Sequence, residues 1–115
     1  MAQPQKVNGI WDIYRFYETV NDNLICYPDE HVGLVCLRLV ERLNGSWFIV
    51  DQKGLFVGNA RVFQERSEVY TEPAFLSSYK DAEEEAIALI ANSVGKPVSF
   101  VAEQVWEVSH LKSLN

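Results

Sequence analysis

The sequence predicts an α+β protein, with a mostly antiparallel sheet of about five to six strands and one main amphipathic helix packed on one face. Three observations lead to this prediction. Strand-like runs separated by tight turns precede the helix, both ends of the helix are marked at residues 78–94, and a β-rich segment follows it. Consecutive strands joined by short turns are antiparallel neighbours, and an amphipathic helix buries its apolar side against such a sheet.

The helix over residues 78–94 is the most strongly marked element. Ser78 and Asp81 have the spacing of a capping box, and acidic residues fill the first turns, where the helix dipole favours negative charge. Gly95 and Pro97 mark the end of the helix. Small and apolar residues share one face at helical spacing. The residues of that face are Ala82, Ala86, Leu89, Ile90 and Ser93, with Val94 beside them.

A hairpin is the second strong local prediction. Asn44-Gly45 is the strongest short signal for a two-residue hairpin turn, and apolar residues alternate before it. A type I′ turn at this pair lets Arg42 lie over the ring of Trp47 in a cation–π contact. The register predicted from that turn pairs Leu43 with Ser46, Arg42 with Trp47, Val40 with Ile49 and Arg38 with Asp51.

Two other segments fit both a strand and a helix. Residues 10–20 are rich in β-branched and aromatic residues, so we predict a strand there, followed by a turn at residues 21–23, although helical spacing is also present. Residues 98–108 are predicted as the closing strand, although valines at helical spacing leave a helix open. A long strand, bent near Gly58, is predicted within residues 55–70.

The length of the chain suits a single domain over residues 1–115. Within it, we expect residues 1–8 to form a mobile leader and residues 109–115 to form a frayed tail. No stretch approaches the ~20 apolar residues of a membrane span, and the N-terminal residues lack the apolar segment of a secretion signal. We therefore expect a cytoplasmic protein that does not bind membranes.

The negative charge is unevenly distributed. Between Glu65 and Glu85 lie seven acidic and two basic residues, so this segment carries −5 of the formal charge of −6. Phosphate backbones require a basic footprint, so we expect no direct binding of nucleic acid. An acidic patch suits a basic protein partner, although an ordinary solvated helix surface explains the same charges. The candidate acidic patch consists of Asp81, Glu83, Glu84 and Glu85.

Groups that support catalysis are few. The sequence contains no phosphate-binding glycine loop, no GxSxG nucleophile elbow and no HExxH metal motif. His31 lies beside Asp29 and Glu30, and with Cys26 these residues form a candidate acid–base or nucleophilic site. Cys26, His31 and Cys36 are three potential metal ligands without an evident fourth, so we expect neither a metal nor a cofactor. Cys36 lies in an apolar run and is predicted to be buried.

Aromatic residues offer a second kind of candidate site. Trp and Tyr close to Arg are typical of the anchors of protein interfaces. Trp47 is the side chain that we would choose as a partly exposed anchor, although burial in the core is the more common position of Trp. The candidate binding residues are Trp11, Tyr14, His31, Arg42 and Trp47.

The sequence therefore favours a non-catalytic, small acidic binding protein. One helix covers only part of an antiparallel sheet, so the remaining apolar face needs another cover, and a second copy of the chain is the simplest one. We expect a homodimer that engages a protein partner, or a small apolar or cationic ligand. The alternative is a small enzyme with an acid–base site around Asp29, Glu30, His31 and Cys26.

Overall fold

Two sheets and two helices make up the described part of the chain. The computed structural model describes residues 5–7, 10–12, 18–52, 55–58 and 61–111. The elements in chain order are β1 (Gln5–Val7), β2 (Ile10–Asp12), β3 (Thr19–Asp29), β4 (Gly33–Arg42), β5 (Trp47–Val50), β6 (Arg61–Glu65), β7 (Glu68–Glu72), α1 (Tyr79–Val94), α2 (Val98–Gln104) and β8 (Trp106–Leu111). The predicted α+β class, with the main helix packed on a mostly antiparallel sheet, is confirmed.

The central sheet has the strand order β5-β4-β3-β8, and all of its neighbouring strands are antiparallel. Successive side chains of a strand point to opposite faces. On this sheet the odd-numbered residues face the helices, where Ile25 pairs with Leu37 and Leu39 pairs with Ile49. The core on that side consists of Ile25, Tyr27, Leu37, Leu39, Trp47, Ile49, Ala82, Ala86, Ile90, Ala91 and Val101.

The helix α1 packs on the central sheet and ends as the sequence predicts. The hydroxyl of Ser78 accepts the backbone N–H of Asp81 at 3.1 Å, and Gly95, at φ 70°, donates its N–H to the carbonyl of Ala91 at 2.9 Å. The buried residues of α1 are Ala82, Ala86, Ile90 and Ala91. Most of these side chains are small, so the helix backbone can approach the sheet closely. None of the helices described is long and apolar enough to cross a membrane.

The hairpin predicted at Asn44-Gly45 is present, but its register differs by one residue. Trp47 pairs with Glu41 rather than with Arg42. The loop has three residues, because the N–H of Arg42 donates to the carbonyl of Ser46 at 2.7 Å. Gly45 has φ 91° and closes the loop in the left-handed region. A type I turn followed by such a residue is the usual three-residue hairpin, and it shifts every pair predicted from a two-residue turn.

The shifted register changes the partners of both arginines. The guanidinium of Arg42 lies 4.4 Å from the ring centroid of Phe75, instead of over Trp47. Arg38 opposes Val50 across the strands, and its Nε lies 3.2 Å from Oδ1 of Asp22. The predicted contacts of Arg42 with Trp47 and of Arg38 with Asp51 are therefore wrong.

Three other segments differ from their predictions. Residues 21–23 lie inside β3 and do not form a turn. The segment 98–108 begins as α2, and its strand, β8, begins only at Trp106. For residues 10–20, the structure has β2 at Ile10–Asp12 and the start of β3 at Thr19, and residues 13–17 lie outside the described residues.

The second sheet has the strand order β1-β2-β7-β6 and combines antiparallel pairs with one parallel pair, between β2 and β7. The segment 55–70 forms two strands at its end, β6 and the first part of β7, instead of one bent strand. They are joined by Arg66 and Ser67, whose φ angles are 52° and 68°. Such a turn normally uses Asn and Gly, so the sequence gives little sign of it.

The two ends of the described chain also differ from expectation. Gln5–Val7, within the predicted mobile leader 1–8, pairs with β2. Residues 109–111, at the start of the predicted frayed tail 109–115, pair with β3 as the last part of β8. The remaining residues of both segments lie outside the described residues.

Candidate functional site

The central sheet has a second face, which is turned away from the helices. The even-numbered side chains of β3 and β4, and those of β8, lie on this side because of the strand registers. We use the name apolar face for the part that spans these three strands. Its residues are Leu24, Cys26, Pro28, Leu34, Cys36, Trp106 and Val108.

Large side chains of the apolar face are open to solvent. Trp106 is 44% exposed, Leu34 is 52% exposed and Val108 is 41% exposed. Their exposure shows that the neighbouring described elements leave these side chains partly uncovered. Scattered apolar residues on a surface are ordinary, but neighbouring ones on a single sheet face are typical of an interaction site.

The register brings these residues together. Trp106 lies beside Cys26, which lies beside Cys36, so one row of side chains crosses three strands. Val108 lies beside Leu24 in the next row. Cross-strand neighbours have Cβ atoms about 5 Å apart, so the exposed side chains form one surface instead of isolated positions.

The apolar face stops where β5 begins. There Val40, Phe48 and Val50 are buried in a second small cluster, with Phe56 packed against it. The ring centroid of Phe48 lies 5.7 Å from that of Phe56 and 6.2 Å from that of Phe75, both with edge-to-face geometry. The chain therefore covers the β5 end of this side with its own aromatic residues.

A charged pair lies between the covered and the open parts. Arg38, in the same row as Leu24 and Val108, lies close to the carboxylate of Asp22. The side chains of Arg38 and Asp22 are 48% and 24% exposed. A polar rim beside an apolar centre is the usual composition of a protein interface.

The two cysteines on this side face each other across β3 and β4 as free, buried thiols. The burial predicted for Cys36 is confirmed. Burial, and then the neighbouring thiol of Cys36, raise the pKa of the Cys26 thiol to about 12. A nucleophilic cysteine requires the opposite shift, since the thiolate is the reactive form.

The candidate acid–base residues do not come together with Cys26. Asp29 is buried at the end of β3, where its carboxylate accepts the backbone N–H of Val32 at 2.8 Å and that of His31 at 3.0 Å. The N–H of Val32 is the main cause that lowers the pKa of Asp29, against some loss of solvation. The side chains of His31 and Glu30 are 83% and 70% exposed. This carboxylate therefore organises the turn between β3 and β4.

A small cleft lies beside that turn, on the helix side of the sheet. Its volume is about 150 Å³, and Lys96 lies at its wall, 3.8 Å from Oε1 of Glu30 and 5.8 Å from the ring centroid of Phe100. Ligand pockets usually measure about 300 to 1,000 Å³. This cleft is about half the size of the smallest usual ligand pocket.

The candidate binding residues are dispersed. Trp47 is 7% exposed and packs edge-to-face on Tyr79, with ring centroids 5.0 Å apart, so it belongs to the core and is not a partly exposed anchor. Arg42 contacts Phe75 and borders a shallow hollow of about 320 Å³ beside the hairpin loop. His31 is far out in solvent at its own turn. The side chain of Trp11 and the whole of Tyr14 lie outside the described residues.

The candidate acidic patch lies on α1. Asp81 accepts a hydrogen bond from the hydroxyl of Ser77 at 3.0 Å, so it takes part in the start of the helix. Glu84 is exposed, and Glu83 and Glu85 are half-buried. Their arrangement is that of an ordinary helix surface with its charge at the favoured end.

Sequence reasoning did not select Trp106 or Leu34. Alternation over residues 106–111 is a signal for Trp106 once the strand is known to begin there, but the sequence prediction runs one strand through the whole of residues 98–108. The described residues contain no group of three or more His, Cys, Asp or Glu placed to hold a metal ion. No protein-family model, curated protein or solved structure matches the chain.

Proposed function

We propose that this protein is a non-catalytic acidic binding protein that acts as a homodimer and engages another polypeptide through the apolar face. The observation that carries the proposal is the joint exposure of Leu34, Trp106 and Val108 on the side of the central sheet that is turned away from the helices. Burying such side chains contributes about 25 cal/mol per Å² of apolar area, so the face favours association.

The shape of the surface favours a polypeptide over a small ligand. The apolar face is the side of a sheet and not a cavity, and the clefts found among the described residues are small or shallow. Small ligands prefer enclosed pockets that bury most of their area. Trp is enriched among the residues that dominate the binding energy of protein interfaces, which supports Trp106 as the centre of the proposed interface.

The charge of the protein favours a basic partner. The formal charge is −6, and the acidic residues of α1 add to the field around the molecule. Complementary charge increases the rate of association and disfavours acidic partners. We therefore propose a partner segment that combines apolar side chains with Lys or Arg.

The alternative, a small enzyme, receives no support from the described geometry. The carboxylate of Asp29 accepts hydrogen bonds from two backbone N–H groups. Cys26 lies on the opposite side of the sheet from the helix-side cleft. A thiol whose pKa is raised to about 12 is a poor nucleophile at neutral pH.

Selection from a phage-displayed random peptide library tests the proposal. We expect wild-type protein to enrich apolar, basic peptides, and Leu34→Ser and Trp106→Ser each to weaken their binding about tenfold or more, as truncation of an interface centre does. Leu43→Ser is the matched control, since Leu43 is 64% exposed but lies in the hairpin loop away from the apolar face. Enriched peptides that bind all three variants as well as wild type would contradict the proposal, and so would a selection without enrichment.

A further inference from the structure

The two edges of the central sheet differ. At β5, the backbones of Trp47 and Leu76 exchange two hydrogen bonds of 2.8 Å, and the N–H of Val57 donates to the carbonyl of Ile49 at 3.2 Å. This edge is therefore closed by the chain itself. At the other edge, β8 has β3 as a neighbour on one side, and no strand of the described chain pairs with its outer side.

The composition of β8 is unusual for an edge strand that stays unpaired. Proteins protect such edges with Lys, Pro, bulges or very short strands. β8 has six residues, contains no Lys, Arg or Pro, and carries one acidic residue, Glu107. Loss of solvation raises the pKa of Glu107, so the ionised form of this one acidic residue is less favourable here than in open water. Trp106 and Val108 present large apolar side chains along the same strand.

We infer that the outer edge of β8 pairs antiparallel with β8 of a second copy of this chain, across a two-fold axis perpendicular to the sheet. The result is a continuous sheet of eight strands, four from each copy. This inference rests on the proposed function, because it names the interface of the proposed homodimer.

A second copy fits this edge because an antiparallel pair of identical strands is self-complementary. A two-fold axis relates the two strands and closes the assembly, as in most soluble dimers. Opposed residues of a strand pair share one face, so the axis must pass between a residue and its own counterpart. The unpaired N–H and C=O groups of both edges then satisfy one another.

The side chains select Val108 as the central residue. An axis at Glu107 would place two carboxylates opposite each other, which is destabilising. An axis at Ser109 would leave Trp106 without an opposite residue inside the strand. An axis at Val108 pairs this valine with its counterpart and Glu107 with Ser109 of the second copy. The apolar faces of both copies then lie on the same side and form one surface.

The oligomeric mass of the full chain tests the inference. Sedimentation equilibrium over a micromolar concentration series is expected to give wild-type protein a mass of twice 13.1 kDa. We expect Val108→Lys to be monomeric, because it brings two ammonium groups together at the axis. Val62→Lys is the matched control, because Val62 is 58% exposed on β6, and it stays dimeric. A wild-type monomer throughout the series would overturn the inference, and so would a dimeric Val108→Lys protein.

Two further variants separate this inference from the proposed function. Leu34→Lys is expected to remain dimeric while losing the selected peptides, since Leu34 lies on β4 away from the edge. A protein that becomes monomeric only on Leu34→Lys would show face-to-face association and overturn edge pairing, and the peptide selection with wild-type protein then decides the proposed function separately. Val108→Cys under mild oxidation is expected to form a covalent dimer, since the opposed Cβ atoms of the two copies lie within disulfide reach. Val62→Cys is not expected to form a covalent dimer. Equal crosslinking of both would contradict pairing at β8.

Discussion

The two sides of the central sheet are made by the same strands, yet they have opposite relations to solvent. On the helix side, Ile25 and Leu39 are fully buried. On the other side, in the same strand layer, Leu34 and Trp106 are 52% and 44% exposed. Both sides are apolar, so composition does not separate a core from a candidate interface. The difference lies in what packs on each side.

The helix side is closed by small residues. Ala82 and Ala86 have no exposed area and let α1 lie close to the sheet, where they belong to the same core cluster as Ile25 and Leu39. On the other side, the aromatic cover found among the described residues lies over β5, where Phe56 packs on Phe48. A sheet needs a second layer on each apolar side. The apolar face is therefore the basis of the proposed function.

The largest expected difference between the two sides is in stability. Leu39→Ala is expected to lower the free energy of unfolding by about 2–5 kcal/mol, because it removes buried methyl groups and leaves a cavity. Leu34→Ala is expected to change it by less than about 0.5 kcal/mol, as at most surface positions. Urea denaturation of both variants measures the difference. Equal losses would mean that the chain covers both sides.

Added volume gives the next largest effect. Ala86→Leu is expected to lower the free energy of unfolding by about 1–3 kcal/mol, because the helix has no room against the sheet. Asn92→Leu is the control on the same helix, since Asn92 is exposed, and it is expected to change stability by less than about 0.5 kcal/mol. Thermal and urea unfolding compare the two. A tolerated leucine at position 86 would contradict the close approach of α1.

The reactivity of the thiols tests whether the cysteines of the apolar face are buried. With a pKa of about 12, Cys26 holds very little thiolate at pH 8. We expect native protein to react with a thiol-specific disulfide reagent about a hundredfold or more slowly than urea-unfolded protein. The release of coloured thiolate follows the reaction. Rapid modification of Cys26 in native protein would contradict the burial of this thiol, whose residue is 2% exposed.

The smallest expected effect is the pH dependence that arises from Glu107. Loss of solvation raises the pKa of this carboxyl in the folded protein, so ionising it costs more there than in the unfolded chain. Wild-type protein therefore loses stability as the pH rises through the raised pKa, and Glu107→Gln removes that loss. We expect the variant to be slightly more stable at pH 7 and the gain to vanish below the ordinary pKa of 4.5. A gain that persists below that pH would have another cause.

Local chemistry explains which parts of the fold the sequence predicts. The helix α1 has its cap at Ser78 and its stop at Gly95, and both act within one turn of the chain. The hairpin is found because Gly45 signals it, but a glycine at positive φ suits a two-residue and a three-residue loop equally. Its register was therefore beyond local reasoning, and with it the partners of Arg42.

The candidate site depends on contacts between distant residues. Trp47 and Trp106 are both in strands, and nothing near either residue in the sequence indicates that Trp47 packs on Tyr79 in the core whereas Trp106 is 44% exposed. The two readings of residues 98–108 are both partly correct, because a short helix leads directly into β8. The prediction that one helix leaves part of the sheet for another cover names no residues, because the residues of each face follow only from the strand order.

Residue-level carbene footprinting of the dilute native protein tests the central claim, that the chain leaves the apolar face of its central sheet open. Trp106 and Leu34 are expected to be labelled several-fold more than Trp47 and Leu39, in line with their exposure. Labelling of Trp106 as weak as that of Trp47 would contradict the account, because the chain would then cover this face itself.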